Sequence, residues 1–175
     1  MDFERELGID LACTGSSSLE ERVLDLLRER KETLAVAESM TGGVIQARLT
    51  GVPGSSEAFK GGAIVYSATA KRVLAQVDPA VLAAHGTVSA PVTLALAEGV
   101  ARQLGTTWGL AITGNAGPME DPEGPAPVGT SFIAVWGSGG TALQSHSFPG
   151  SRGDIQARTA TWSLDFLRRQ IQGDR

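Results

Sequence analysis

The run Thr33-Leu34-Ala35-Val36-Ala37-Glu38-Ser39-Met40-Thr41-Gly42-Gly43 (TLAVAESMTGG, residues 33–43) decides the architecture. Its first five residues are short, apolar and partly β-branched, the pattern of a buried strand. Glu38–Gly43 then reads as a turn, and Thr41 is placed to cap a helix that continues to Leu49. A strand that ends in a glycine-containing turn and restarts as a helix is the unit of a layered α/β domain.

The same alternation extends in both directions. Upstream, Ser18 with Glu21 forms a capping-box pattern, and Leu19, Val23, Leu26 and Leu27 share one helical face, so a helix is expected to about Arg30. Residues 1–17 show no period and are expected to form a loose leader, with 18–172 as a single domain. Downstream, 62–67 reads as a second strand, with short helices over 68–74 and 79–84. Ser89 with Pro91 starts a helix to Leu104, and 108–113 is a third strand. Gly114–Val128 is too rich in Gly and Pro for regular structure. Segments 130–136 and 142–148 form a hairpin over Gly137-Ser138-Gly139-Gly140. A last helix is expected from Asp154 to Ile171. This order predicts an α/β fold, a layered domain with a mixed sheet.

Bulk properties exclude several function classes. The 175-residue chain is 42% hydrophobic and 19% charged with a net charge of -4, and it has no Lys/Arg run. A direct nucleic-acid partner is not expected. The single cysteine, Cys13, rules out an intrachain disulfide and suits a reducing compartment. His85 and His146 lie in separate segments without metal-ligand spacing, so no metal is expected. No apolar run approaches the roughly 20 residues of a membrane helix. A cytoplasmic protein without a membrane partner is expected.

Four segments carry residues that could do chemistry. In the first, Ser39, Thr41, Gly42 and Gly43 offer hydroxyls and amides at a helix start; a plain capped turn explains them equally. In the second, Gly54-Ser55-Ser56 is followed by Tyr66 and Lys71. A serine needs a base to become a nucleophile, and a buried lysine can be one. Taken singly, these three are better read as a capping serine, a core tyrosine and a solvated lysine. In the third, Thr113, Gly114, Asn115, Ala116, Gly117 and Pro118 form another strand-to-loop turn whose amides could hold an anion. In the fourth, Phe148-Pro149-Gly150-Ser151-Arg152 sets a guanidinium at a helix start, as suits phosphate.

In this order the segments AESMTGG (37–43), VPGSS (52–56), GGAIVYSATAK (61–71), HGTVS (85–89), ITGNAGP (112–118), PVGT (127–130) and FPGSR (148–152) resemble the CinA C-terminal domain family, the nicotinamide mononucleotide (NMN) deamidases. The likeness runs from Leu19 to the last helix and suggests the stand-alone form. It implies a three-layer α/β/α domain with a mixed sheet and an amidohydrolase that converts NMN to nicotinate mononucleotide and ammonia in pyridine nucleotide salvage, with no cofactor and as a homo-oligomer. It also implies a site built from Ser39, Ser56, Tyr66, Lys71, Thr113 and Arg152, with glycines 42, 43, 114 and 117 cradling the ligand. Met40 stands where the family commonly has Cys.

On this basis Ser56 is the expected nucleophile, Lys71 its base and Tyr66 an aid to proton transfer, with amides of the Gly-Ser-Ser turn facing the oxyanion. Ser39 is the rival nucleophile. Thr41, Gly42, Gly43, Thr113, Gly114, Gly117 and Arg152 would bind substrate. The alternatives are a non-catalytic pyridine-nucleotide sensor and a competence-linked interaction protein.

Overall fold

The computed structural model describes residues 17–120 and 126–173. The leader expected over residues 1–17 lies outside them except for Ser17. Helix α1 (Leu19–Glu29) begins on the expected box: Ser18 Oγ accepts the Glu21 amide, and the Glu21 carboxylate accepts the Ser18 amide at 2.6 Å. Strand β1 (Leu34–Glu38) is buried at all five positions. There follow α2 (Val44–Thr50), a single 3-10 turn (Ser55–Glu57), β2 (Phe59–Ile64), α3 (Ala68–Ala75), α4 (Pro79–His85) and α5 (Ala90–Leu104). Strands β3 (Trp108–Gly114), β4 (Thr130–Gly137) and β5 (Gly140–Ser147) lead into α6 (Arg152–Gln172).

The five strands form one mixed sheet in the order β2-β1-β3-β4-β5. Strand β1 pairs in parallel with both β2 and β3, while β3–β4 and β4–β5 are antiparallel. Successive residues of a strand point to opposite faces, and here the two faces differ in size. Leu34, Val36, Leu110, Ile112, Ile133 and Val135 join one core with α1, α2 and α6. Ala35, Ala37, Ala111 and Ala134 join the other, with Val92, Leu96, Ala97 and Val100 of α5. The small-residue face lets α5 approach closely: a Cβ on Gly109 would lie 2.0 Å from the Ala97 carbonyl oxygen. Helices cover both faces, which gives the three-layer arrangement.

The topology also places a crevice. Glu38 is level with Ile64 on one side and Ile112 on the other, so the three parallel strands end together. After β1 the chain runs towards β2, and after β3 it turns the other way to β4. Such a switch point at the carboxyl ends of parallel strands is where α/β sheets hold ligands.

Candidate active site

The turn after β1 is organised by a carboxylate. Glu38 is fully buried, and its oxygens accept the amides of Gly43 (3.0 Å), Ile45 (3.2 Å) and Gln46 (2.8 Å). These are the amides that a helix start leaves open, so Glu38, reaching from the end of the strand, caps α2. Thr41 was the expected cap; instead its Oγ1 is buried without a hydrogen-bond partner, and the N-cap position is Gly43 with φ 102°. The arrangement corrects a second expectation. The Gly43 amide is committed to Glu38 and the Gly42 amide to the Ser39 carbonyl, so these amides do not face a ligand.

Ser39 follows Glu38 directly, with its amide bonded to the Ile112 carbonyl at 3.1 Å. Lys71 approaches it from α3, whose start is capped by Ser67. Lys71 is only 1% exposed. Its Nζ donates to the Val65 carbonyl at 2.6 Å and to Ser39 Oγ at 3.1 Å. A serine and a lysine are therefore in direct contact at the carboxyl edge of the sheet, at the floor of a cleft of about 420 Å³.

Ser56 is elsewhere. It is an exposed residue of the 3-10 turn that precedes β2, and its carbonyl accepts from Lys60 Nζ. Strand β2, at about 3.3 Å per residue roughly 20 Å long, separates it from Tyr66 and Lys71. The Gly-Ser-Ser turn, expected to face the reacting carbonyl, thus lies at the opposite edge of the sheet.

The remaining expected residues divide between wall and interior. Gly114 and Gly117 line the cleft, as do Tyr66 and Arg152. Arg152 donates to the Gly117 carbonyl at 2.7 Å and to the Tyr66 hydroxyl at 3.0 Å. Tyr66 is 62% exposed, so this pair forms the rim. Thr113 is fully buried, with its Oγ1 2.7 Å from Thr93 Oγ1, and does not line the cleft. Nor does Thr41.

Several contributors were not among the expected site residues. Thr87 and Val88 of the HGTVS run line the cleft. Asn115 folds the loop beneath the rim, accepting the Gly117 amide at 2.8 Å and donating to the carbonyls of Met119 and Ala126. Gln156 on α6 donates to the Met40 carbonyl at 2.6 Å. Its position four residues beyond Arg152, on one helical face, was a usable signal. Among the described residues no group of three His, Cys, Asp or Glu could hold a metal, and no helix is long and apolar enough to cross a membrane.

Fold and site together define an α/β/α domain with a buried Ser–Lys pair in a cleft at the switch point of its sheet. Residues 16–171 match the model of the CinA C-terminal domain, and the chain belongs to that family. It is 45% identical over 167 residues to a CinA-like protein of Frankia casuarinae, covering 95% of this chain and 38% of that one. A CinA-like protein of Myxococcus xanthus is 44% identical over 173 residues, covering 98% of this chain and 41% of the relative. The chain thus spans about two-fifths of the length of the curated relatives it matches. A competence-damaged protein (CinA) superfamily structure from Klebsiella pneumoniae superposes with a TM-score of 0.84 at 29% identity, covering 89% of this chain and 96% of that one. The competence/damage inducible protein CihA from Agrobacterium tumefaciens gives 0.79 at 28% identity, covering 88% and 93%.

Proposed function

We propose that the chain is an amidohydrolase that releases ammonia from the carboxamide of nicotinamide mononucleotide, with Ser39 as nucleophile and Lys71 as its base. The observation that carries the chemistry is the 3.1 Å contact between Lys71 Nζ and Ser39 Oγ in the cleft. The substrate comes from the family resemblance, and the cleft volume suits a mononucleotide-sized ligand.

In this reading burial favours the neutral amine that a base requires. Lys71 takes the Ser39 proton as Oγ adds to the amide carbon, and the Val65 carbonyl keeps Nζ aimed. The ammonium then protonates the departing nitrogen, and the C–N bond breaks to give an acyl-serine and ammonia. Water activated by the same amine hydrolyses the ester and restores Ser39. Arg152 and Tyr66 at the rim are suited to the phosphate, the guanidinium by charge and the phenol as a donor. This assigns Tyr66 to binding rather than to proton transfer. Ser56, some 20 Å of strand away by the rise per residue, has no part.

The test is ammonia release from NMN by the wild type and by folded Ser39→Ala, Lys71→Met and Ser56→Ala variants. The first two are expected to lose at least about 10³-fold in kcat, and Ser56→Ala to keep wild-type turnover. An active Ser39→Ala variant, or an inactive but folded Ser56→Ala variant, overturns the assignment.

A further inference from the structure

Around Ser39, nearly every backbone amide is already committed. Ser39 donates to the Ile112 carbonyl, Gly42 to the Ser39 carbonyl at 3.2 Å, Gly43 to Glu38, and Val44 to the Thr41 carbonyl at 3.2 Å. Two amides between them, those of Met40 and Thr41, have no acceptor among the described residues. Both residues are buried, at 3% and 1% exposure. Buried amides without partners are rare in folded proteins, and here two occur consecutively beside the Ser–Lys pair.

The carbonyls of the same peptides are held. The Ser39 carbonyl is drawn into the turn by Gly42, and the Met40 carbonyl is gripped by Gln156 Nε2 at 2.6 Å. Both peptides are trans, the cis bond being Gly117–Pro118. In a planar trans peptide the C=O and N–H point in opposite directions. Holding the Ser39 carbonyl inward therefore turns the Met40 amide out of the turn, on a residue that lines the cleft. With the Ser39 and Met40 carbonyls both held, the Met40 backbone between them is fixed.

We propose that the amide of Met40 is the oxyanion donor for Ser39, and that Gln156, by holding the Met40 carbonyl, is the positioning residue that fixes it. The inference rests on the reading of Ser39 as nucleophile. As Ser39 Oγ bonds to the carboxamide carbon, the C=O π pair moves to oxygen and the serine proton to Lys71. The negative oxygen is then met by a donor that need not move. On collapse the pair returns, the C–N bond breaks, and the nitrogen leaves as ammonia with the proton from Lys71.

The experiment compares wild type with Gln156→Ala and Gln156→Glu, each checked for folding by its Tm. Gln156→Met, which keeps the volume without the donor, replaces Ala if that variant is unstable. Two readouts are taken: kcat and KM for ammonia release from NMN, and affinity for pyridine-3-boronic acid, which becomes tetrahedral on bonding the serine oxygen, against affinity for the planar product nicotinate mononucleotide. Loss of an oxyanion donor costs about 10²–10³ in kcat, and misplacing it is expected to cost about ten- to a hundredfold. KM should stay within about twofold, boronate affinity should fall in parallel with kcat, and product affinity should hold. Gln156→Glu should be worse than Ala, since its carboxylate faces the Met40 carbonyl. Folded variants with wild-type kcat, or equal weakening of boronate and product, overturn the inference. If the wild type releases no ammonia from NMN, the substrate reading fails, and the boronate arm still decides the inference. Boronate that needs Ser39 and weakens in the Gln156 variants supports it; boronate indifferent to Gln156 overturns it.

Discussion

Glu38→Gln and Thr41→Val make a paired test of what holds the Ser39 turn, because either residue could cap α2 and only Glu38 does so. The glutamine is nearly isosteric but turns one carboxylate oxygen into an NH2 group. In its better orientation it keeps the Oε2 position as an acceptor for Gly43 and Ile45 and sets an NH2 against the Gln46 amide. Hydrogen bonds to a charged acceptor contribute about 1.5–3 kcal/mol and neutral ones about 0.5–1.5, while a stranded buried donor costs about 1–3. Two weakened bonds and one stranded amide sum to a loss of about 3–4 kcal/mol. At about 2–4 °C per kcal/mol for a chain of this size, Tm should drop by about 10 °C. Thr41→Val removes a buried hydroxyl that has no partner. It should be neutral or stabilising by up to about 1 kcal/mol, where loss of a true threonine cap costs about 0.5–2. Urea unfolding followed by circular dichroism measures both. A Thr41→Val loss above about 1 kcal/mol, together with an unchanged midpoint for Glu38→Gln, would refute the assignment of the cap.

Two further outcomes follow from the packing. Gly109→Ala sets a methyl 2.0 Å from the Ala97 carbonyl oxygen and 2.9 Å from Ala101 Cβ; neither can swing aside, so a loss of about 2 kcal/mol or more is expected, and an unaffected unfolding midpoint would contradict the close β3–α5 contact. His146 stacks on Phe148 (5.3 Å) and Trp162 (4.8 Å), and its pKa is held below the usual 6.5 by burial and by the Arg169 charge. The unfolded chain then binds the proton first, so this contribution is complete above pH 6.5 and is lost as pH falls from there to the lower folded pKa. Between pH 7.5 and pH 5.5, His146→Phe should lose less of its urea midpoint than wild type; equal losses would show that His146 carries none of the dependence.

Most of the element order was legible because its signals are local. The Ser18/Glu21 box, the Ser89-Ala90-Pro91 start of α5 and the glycine-rich β4–β5 hairpin each depend on residues a few positions apart. The boundaries moved where tertiary contacts decide them. Strand β2 begins at Phe59 rather than Gly62, because pairing with Leu34 at the start of β1 extends it, and α6 begins at Arg152 because Ser151 and Asp154 box its start. The exposed first turn of α6 also carries the Arg152 contacts to the rim.

The site was legible as a set of segments and not as an arrangement. By itself the sequence determined the alternation of strand and helix, the family resemblance, and the short set of hydroxyls and cations from which a site could be built. The tertiary structure decided which of these meet. Ser56 is nearer to Lys71 along the chain, yet a full strand lies between them, whereas parallel pairing sets the ends of β1 and β2 side by side and brings Ser39 to Lys71. The same long-range pairing buries Thr113 against Thr93 and turns Glu38 back onto α2. Local propensity acts over a few residues and can be read from them; strand register acts across the whole chain, and it set Ser39 against Lys71.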